Sequence, residues 1–120
     1  MVTLYIHPRC STCKKAQRWL EKQQVAFETI DLLAQPPQSE AILAWMKATN
    51  VPIRRFFNTS GQKYRELGLK DQVPTMNQKA ASALLASDGM LLKRPVLLKD
   101  NQLLALGFNE FDFEGAIEKS

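Results

Sequence analysis

Histidine occurs once in these 120 residues, and cysteine, tyrosine and tryptophan twice each. Each scarcity excludes something. Two cysteines are too few for the disulfide framework of a small secreted domain, and in a reducing compartment a bond between them would be transient and functional. With one histidine, the soft metal ligands number three, His7, Cys10 and Cys13. Zinc usually takes four, or three plus water, so a metal site is the weaker reading of that cluster and none is expected. No stretch approaches the roughly 20 apolar residues of a membrane helix. The start, Met1-Val2-Thr3-Leu4-Tyr5-Ile6, is apolar for only a few residues before His7 and Pro8 and carries no charged leader, so a cytoplasmic protein is expected. Nor is there a run of five or more like charges. The 16 basic and 12 acidic residues leave a formal +4, a modest excess that suits an anionic substrate or an acidic protein partner. It gives little support to direct nucleic-acid binding.

What is present is enough for one domain spanning residues 1–120, because 45% of the residues are hydrophobic and typical domains hold roughly 100–150 residues. Both cysteines fall in one stretch, Cys10-Ser11-Thr12-Cys13, between an apolar segment and an amphipathic one. Val2, Leu4 and Ile6 alternate with Thr3 and Tyr5, predicting a strand over 2–6. Pro8 breaks it. Ser11 and Thr12 are residue types that cap helices, and Ala16, Trp19 and Leu20 follow at helical spacing with Lys14, Lys15, Arg18 and Lys22 mainly on the other faces. A helix is expected over about 11–23. Residues 25–32 are β-branched and aromatic enough for a second strand. A crossover helix this short makes the pair parallel and right-handed, which puts the cysteines at the carboxyl end of the first strand, where open α/β sheets place their chemistry.

Pro36-Pro37 ends that unit. From about 36 to 87 the pattern is helical, with a helix after Ser39, a short one over 53–57, another over 62–67 closed by Gly68, a last one over 80–85, and no strand. This reads as a helical insertion covering one edge or end of a sheet. An independent helical subdomain is the alternative, less favoured because its apolar faces are short for closing a core alone. Strand character returns over 95–98, Lys99-Asp100-Asn101 reads as a turn, and 102–106 as the returning strand of a hairpin. Gly107 stops it, and 110–119 can close the chain as a helix with Gly115 inside it. The predicted class is α/β, a thioredoxin-like (glutaredoxin-like) mixed sheet with flanking helices and a helical insertion between the second and third strands.

A thiol attacks only as the thiolate, and an unperturbed cysteine has a pKa of about 8.5. Lowering that by one unit takes about 1.4 kcal/mol of differential stabilisation, which a helix N-terminus and nearby cations can supply. Cys10 is therefore the candidate nucleophile and Cys13, a turn further in, the resolving thiol. Arg9, Lys14 and Lys15 are near in sequence, and Ser11 and Thr12 lie between the sulfurs. Pro95 opens a strand at the place where thioredoxin-like folds carry a cis-proline facing the cysteines. Roughly 5–6% of X-Pro bonds are cis, so only the inferred fold reverses the trans default. Arg94, just before it, is positioned to aim a guanidinium at Cys10. His7 is read as a packing or hydrogen-bonding group at the strand end, and Trp19 and Trp45 as core.

Several spaced segments carry a resemblance over almost the whole chain: Met1-Val2-Thr3-Leu4-Tyr5, Cys10-x-x-Cys13-Lys14-Lys15-Ala16, Tyr64-Arg65-Glu66-Leu67-Gly68-Leu69, Lys93-Arg94-Pro95-Val96 and Gly107-Phe108-Asn109-Glu110. On these the sequence resembles the ArsC/Spx family, comprising arsenate reductases and relatives that include the Spx and MgsR-like regulators. The resemblance implies a thioredoxin-like fold with a helical insertion. For a glutaredoxin-coupled arsenate reductase it implies a nucleophile at Cys10 and three arginines around the oxyanion. Arg94 matches one, whereas Asn58 and Gly107 fall at the other two, although Arg54 and Arg55 are near the first. Each missing guanidinium removes charge-assisted hydrogen bonds of about 1.5–3 kcal/mol. For a Spx-type regulator the resemblance implies a cysteine-pair redox switch that binds the C-terminal domain of the RNA polymerase α subunit. The expected function is thus thiol–disulfide redox chemistry through Cys10 and Cys13. Arsenate reduction and redox-controlled polymerase binding are its alternatives. No bound cofactor is expected, the reductant being glutathione, a glutaredoxin or a thioredoxin, and a monomer is the default.

Overall fold

The computed structural model describes residues 1–119. Contacts divide the described chain into two compact units, residues 1–31 with the segment from 94 onward, and residues 32–93. The second is wider at both ends than the insertion expected over 36–87.

The first unit is built on a sheet of four strands, β1 (Val2–Ile6), β2 (Phe27–Asp31), β3 (Val96–Lys99) and β4 (Gln102–Leu106), in the order β2-β1-β3-β4. The helix α1 (Ser11–Lys22) connects β1 to β2, which pair in parallel from Val2 opposite Phe27 to Ile6 opposite Asp31, as its crossover requires. β3 runs antiparallel to β1, with Leu4 opposite Leu97. The hairpin β3–β4 turns at Asp100 and Asn101, whose φ values of 50° and 69° suit a two-residue connection. Leu97 faces Ala105 and Leu98 faces Leu103, so Leu104 is the extra residue of a bulge. The chain's amino group lies 3.0 Å from the Asp100 carboxylate at this turn.

Alternation decides which side chains enter the core. Val2 and Leu4 from β1 and Leu97 from β3 meet Ala16 and Leu20 of α1 and Phe113 of the C-terminal helix α6 (Glu110–Lys119). Phe113 is fully buried. Its ring is approached edge-on by Trp19 at 5.9 Å and by Phe108 at 4.9 Å between centroids, the geometry that aromatic quadrupoles favour. Trp19 is therefore core material, as its spacing implied.

The second unit contains α2 (Ser39–Ala48), a 3₁₀ turn (Ile53–Phe56), α3 (Gln62–Glu66), α4 (Leu69–Gln72), α5 (Gln78–Ser87) and two further 3₁₀ turns, Val73–Thr75 and Gly89–Leu91. It buries Ile42, Trp45 and Met46 from α2 and Ala81 and Leu85 from α5. Two features differ from the sequence reading. α5 starts two residues before the expected 80 because Asn77 caps it, its Oδ1 accepting from the Ala80 N–H at 2.8 Å. Gly68 does not merely close α3: at φ 64° it turns the chain left-handed for one residue, and α4 begins immediately after it. Among the described residues no strand forms between β2 and β3, but Phe57 and Leu92 form an isolated antiparallel bridge, flanked by bonds from Asn58 N–H to Leu91 O and from Lys93 N–H to Phe56 O, both 2.8 Å. A single bridge between distant residues has no periodic signature. Gly89 is required by close approach, since a Cβ there would stand 2.4 Å from the Leu32 carbonyl oxygen.

Candidate functional site

The site lies in the first unit, where the chain leaves β1 and enters α1. After Ile6 the backbone turns at Pro8-Arg9. The Cys10 N–H closes this turn on the His7 carbonyl at 3.1 Å, and the Cys10 carbonyl accepts the first helical bond, from Lys14, at 3.1 Å. Cys10 is thus the N-cap, with φ −84° and ψ 116°. The cap was expected from Ser11 or Thr12. The sulfur takes it instead: the Cys13 N–H donates to Cys10 Sγ at 3.2 Å, the position a serine hydroxyl usually fills. Ser11 becomes the first helical residue and is exposed, and Thr12 is half-buried. The two-residue spacer has a geometric meaning here, since it puts the second cysteine where its own N–H meets the first sulfur.

Burial separates the two thiols. Cys13 belongs to the inner stripe of α1 with Ala16 and Leu20 and is fully buried, whereas Cys10 is half-buried. Partial burial opposes ionisation of Cys10, but hydrogen bonds from the Cys13 thiol and backbone, together with the Arg94 guanidinium as donor and charge, outweigh it and hold the Cys10 pKa below the ordinary thiol value. Cys13 moves the other way. Burial first, then its hydrogen bond to Cys10 and, to a lesser degree, the negative charge of that sulfur push its pKa up to about 12, against the opposing His7 backbone hydrogen bond and the Arg94 charge. Of the two, Cys10 is the thiol that ionises first.

Arg94 is the cation that the fold brings to this sulfur. It is half-buried, and among the described residues its Nη1 is the one buried side-chain nitrogen or oxygen with no hydrogen-bond partner. A buried guanidinium nitrogen without a partner is an unused hydrogen-bond donor. The Arg94–Pro95 peptide bond is cis. The Pro95 carbonyl accepts the Gly107 N–H at 2.8 Å, and Gly107 is buried with φ 75°. From the sequence Gly107 stops a strand and falls at one of the oxyanion-arginine positions of the resemblance. In the structure its N–H is bonded to the Pro95 carbonyl in a conformation that side-chain-bearing residues resist; the signal available in the sequence was an isolated glycine between a strand and a helix.

The other candidates are more distant players. Arg9, Lys14 and Lys15 are exposed and are not among the groups that shift Cys10. His7 Nδ1 accepts from the Arg9 N–H at 3.0 Å, so its ring organises the turn. No group of three or more metal-ligating side chains occurs among the described residues. Asn58 belongs to the second unit.

Comparison with known proteins agrees over nearly the whole chain. A model of the ArsC family matches residues 5–116. The uncharacterized protein YusI of Bacillus subtilis (strain 168) is 43% identical over 113 residues, covering 94% of this chain and 95% of YusI. The global transcriptional regulator Spx of Streptococcus agalactiae serotype V is 30% identical over 110 residues, 92% of this chain and 78% of that protein. A solved structure from Streptococcus mutans UA159, described as a possible arsenate reductase, superposes with a TM-score of 0.90 at 40% identity and covers 95% of this chain and 98% of its own.

Proposed function

This chain belongs to the ArsC family and has its thioredoxin-like fold, and from that premise we propose that it is a thiol–disulfide redox protein with Cys10 as nucleophile and Cys13 as resolving thiol. The observation that carries the reading is the opposite displacement of two thiols whose segments are joined by the 3.2 Å hydrogen bond from the Cys13 N–H to Cys10 Sγ. The Cys10 thiolate attacks the electrophilic atom of an oxidant. With a hydroperoxide, the O–O bond breaks, an alcohol or water leaves with one proton, and Cys10 becomes a sulfenic acid. The sulfur of Cys13 then displaces hydroxide from Cys10, its proton leaving with that group as water, and the Cys10–Cys13 bond forms. The order is built in. Part of what keeps Cys13 protonated is the charge on Cys10, and that charge disappears with the first step, so the second thiol becomes easier to ionise only once the first has reacted. A cellular thiol such as glutathione or a glutaredoxin returns the pair to the dithiol with two electrons. A reducing cytoplasm suits this cycle, and no helix among the described residues is long and apolar enough to cross a membrane.

The test is alkylation followed across pH, with mass spectrometry after one equivalent of hydroperoxide or diamide. Cys10 is expected to react below the pH at which an ordinary thiol does and to yield an intramolecular disulfide. An unperturbed Cys10, or mixed disulfides alone, rejects the reading.

A second reading makes the same disulfide a signal. It rests on the 30% identity to a protein named as a global transcriptional regulator, and its partner would be the RNA polymerase α C-terminal domain. A pull-down with that domain, oxidised against reduced, decides it, and no binding in either state rejects it. Arsenate reduction has the unpaired Arg94 Nη1 in its favour and Asn58 and Gly107 at two of its arginine positions against it. Absence of arsenate-dependent NADPH oxidation in a glutathione- and glutaredoxin-coupled assay removes it.

A further inference from the structure

The second unit holds a cavity of about 650 Å³ that the redox reading does not use, inside the roughly 300–1,000 Å³ range of small-molecule sites. Its walls are apolar: Ile53 begins the 3₁₀ turn before α3, and Val73 and Pro74 open the turn after α4. Four polar residues join them, Arg54, Thr59, Tyr64 and Lys70, and no carboxylate does.

These polar groups are unspent. Neither Arg54 nor Lys70 takes part in the ion pairs of the amino terminus with Asp100 or of Lys63 with Asp88, and neither has an acidic partner among the described residues. Tyr64 is 6% exposed, packed on Phe57 at 6.0 Å between ring centroids, and neither its hydroxyl nor that of Thr59 has a hydrogen-bond partner among the described residues. The Tyr64 hydroxyl is not among the buried unpaired atoms, so while its ring is packed its oxygen opens onto the cavity that it lines, where a ligand oxygen can meet it.

We propose that this cavity is a binding site for a small organic anion with an aromatic or alicyclic body, a ring-bearing carboxylate or sulfonate. The apolar walls take the ring, Arg54 and Lys70 take the charge, and Tyr64 and Thr59 donate hydrogen bonds to its oxygens. Inorganic anions leave the apolar walls unfilled and neutral rings leave two cations unpaired, so the site selects for both features together. The inference stands apart from the redox reading and does not depend on it.

The full chain is titrated with anilinonaphthalene sulfonate, an aromatic sulfonate, and with neutral phenylnaphthylamine, by fluorescence and calorimetry, while amide NMR shifts locate the contact. Saturable binding of the sulfonate at one site is expected, with shifts centred on residues 52–76. The neutral compound should bind about tenfold more weakly, as should the sulfonate to the exposed-residue variant Arg54→Gln/Lys70→Gln, and Tyr64→Phe should weaken binding about threefold. Circular dichroism checks that the variants are folded. Sulfonate binding that does not saturate, that survives loss of both cations, that is matched by the neutral compound, or whose shifts fall on the smaller cleft between Lys15, Trp19 and Phe108 overturns the proposal.

Discussion

Replacing Arg94 by Gln is the sharpest perturbation of the site, because it removes one charge and keeps a side chain of similar reach. A hydrogen bond to a charged group contributes about 1.5–3 kcal/mol. Cys10 is only half-buried, so solvent screening reduces this to about 1–1.5 kcal/mol, or close to one pKa unit at 1.36 kcal/mol each. The midpoint of Cys10 alkylation should therefore move up by about one unit. The rate should change in opposite directions on its two sides. Below both midpoints the thiolate fraction falls about tenfold, while the more basic sulfur is intrinsically about threefold more nucleophilic at a Brønsted slope near 0.4–0.5, for a net loss of about threefold. Above both midpoints the variant should be about threefold faster than the parent. The assay is the iodoacetamide rate from pH 4 to pH 10 with thiolate absorbance in parallel, and Arg94→Lys, which restores charge without the planar fork, should recover part of the shift. Superposable profiles would refute the assignment of Arg94. A uniform loss of rate with no change of midpoint would point to damaged structure instead.

Three further outcomes follow from the same geometry. Cys13 has a folded pKa of about 12, above its unfolded value of about 8.5. Its contribution to stability is therefore complete below about pH 8.5 and is lost as pH rises toward 12, where the unfolded chain holds fewer protons than the native one. Denaturant melts across that window should show a shallower decline for Cys13→Ala than for the parent, and equal slopes would contradict the buried, protonated thiol. Gly107→Ala forces a side chain into φ 75°, at a cost of about 1–2 kcal/mol. It should lower the melting temperature by several degrees and, by loosening the strand behind Pro95, raise the Cys10 midpoint; an unchanged melting temperature would contradict the strain argument. Phe113→Ala empties the centre of the first unit, should cost about 3–5 kcal/mol and should alter Trp19 emission, since the two rings are in edge contact; a loss below about 1 kcal/mol would mean the ring is not the core residue its burial indicates.

Local chemistry determined much of this protein. Alternation at Val2, Leu4 and Ile6, the spacing of Ala16 and Leu20, and the turn at Lys99-Asp100-Asn101 place β1, α1 and the β3–β4 hairpin within a residue or two, because each is a short-range consequence of side-chain period or backbone preference. The two cysteines and Arg94 were legible as the candidate site for the same reason, one by its spacing and the other by its place before a strand-opening proline. What needed the tertiary structure was everything set by distant partners. That Cys10 itself caps α1, that Cys13 is sealed in the core while Cys10 is not, and that of several nearby cations Arg94 is the one acting on the sulfur depend on burial and direction, which neighbours along the chain do not encode. The Phe57–Leu92 bridge, the carbonyl that excludes a side chain at Gly89, and the unspent donors around the cavity of the second unit arise in the same way, from groups far apart in sequence that meet only when the chain is folded.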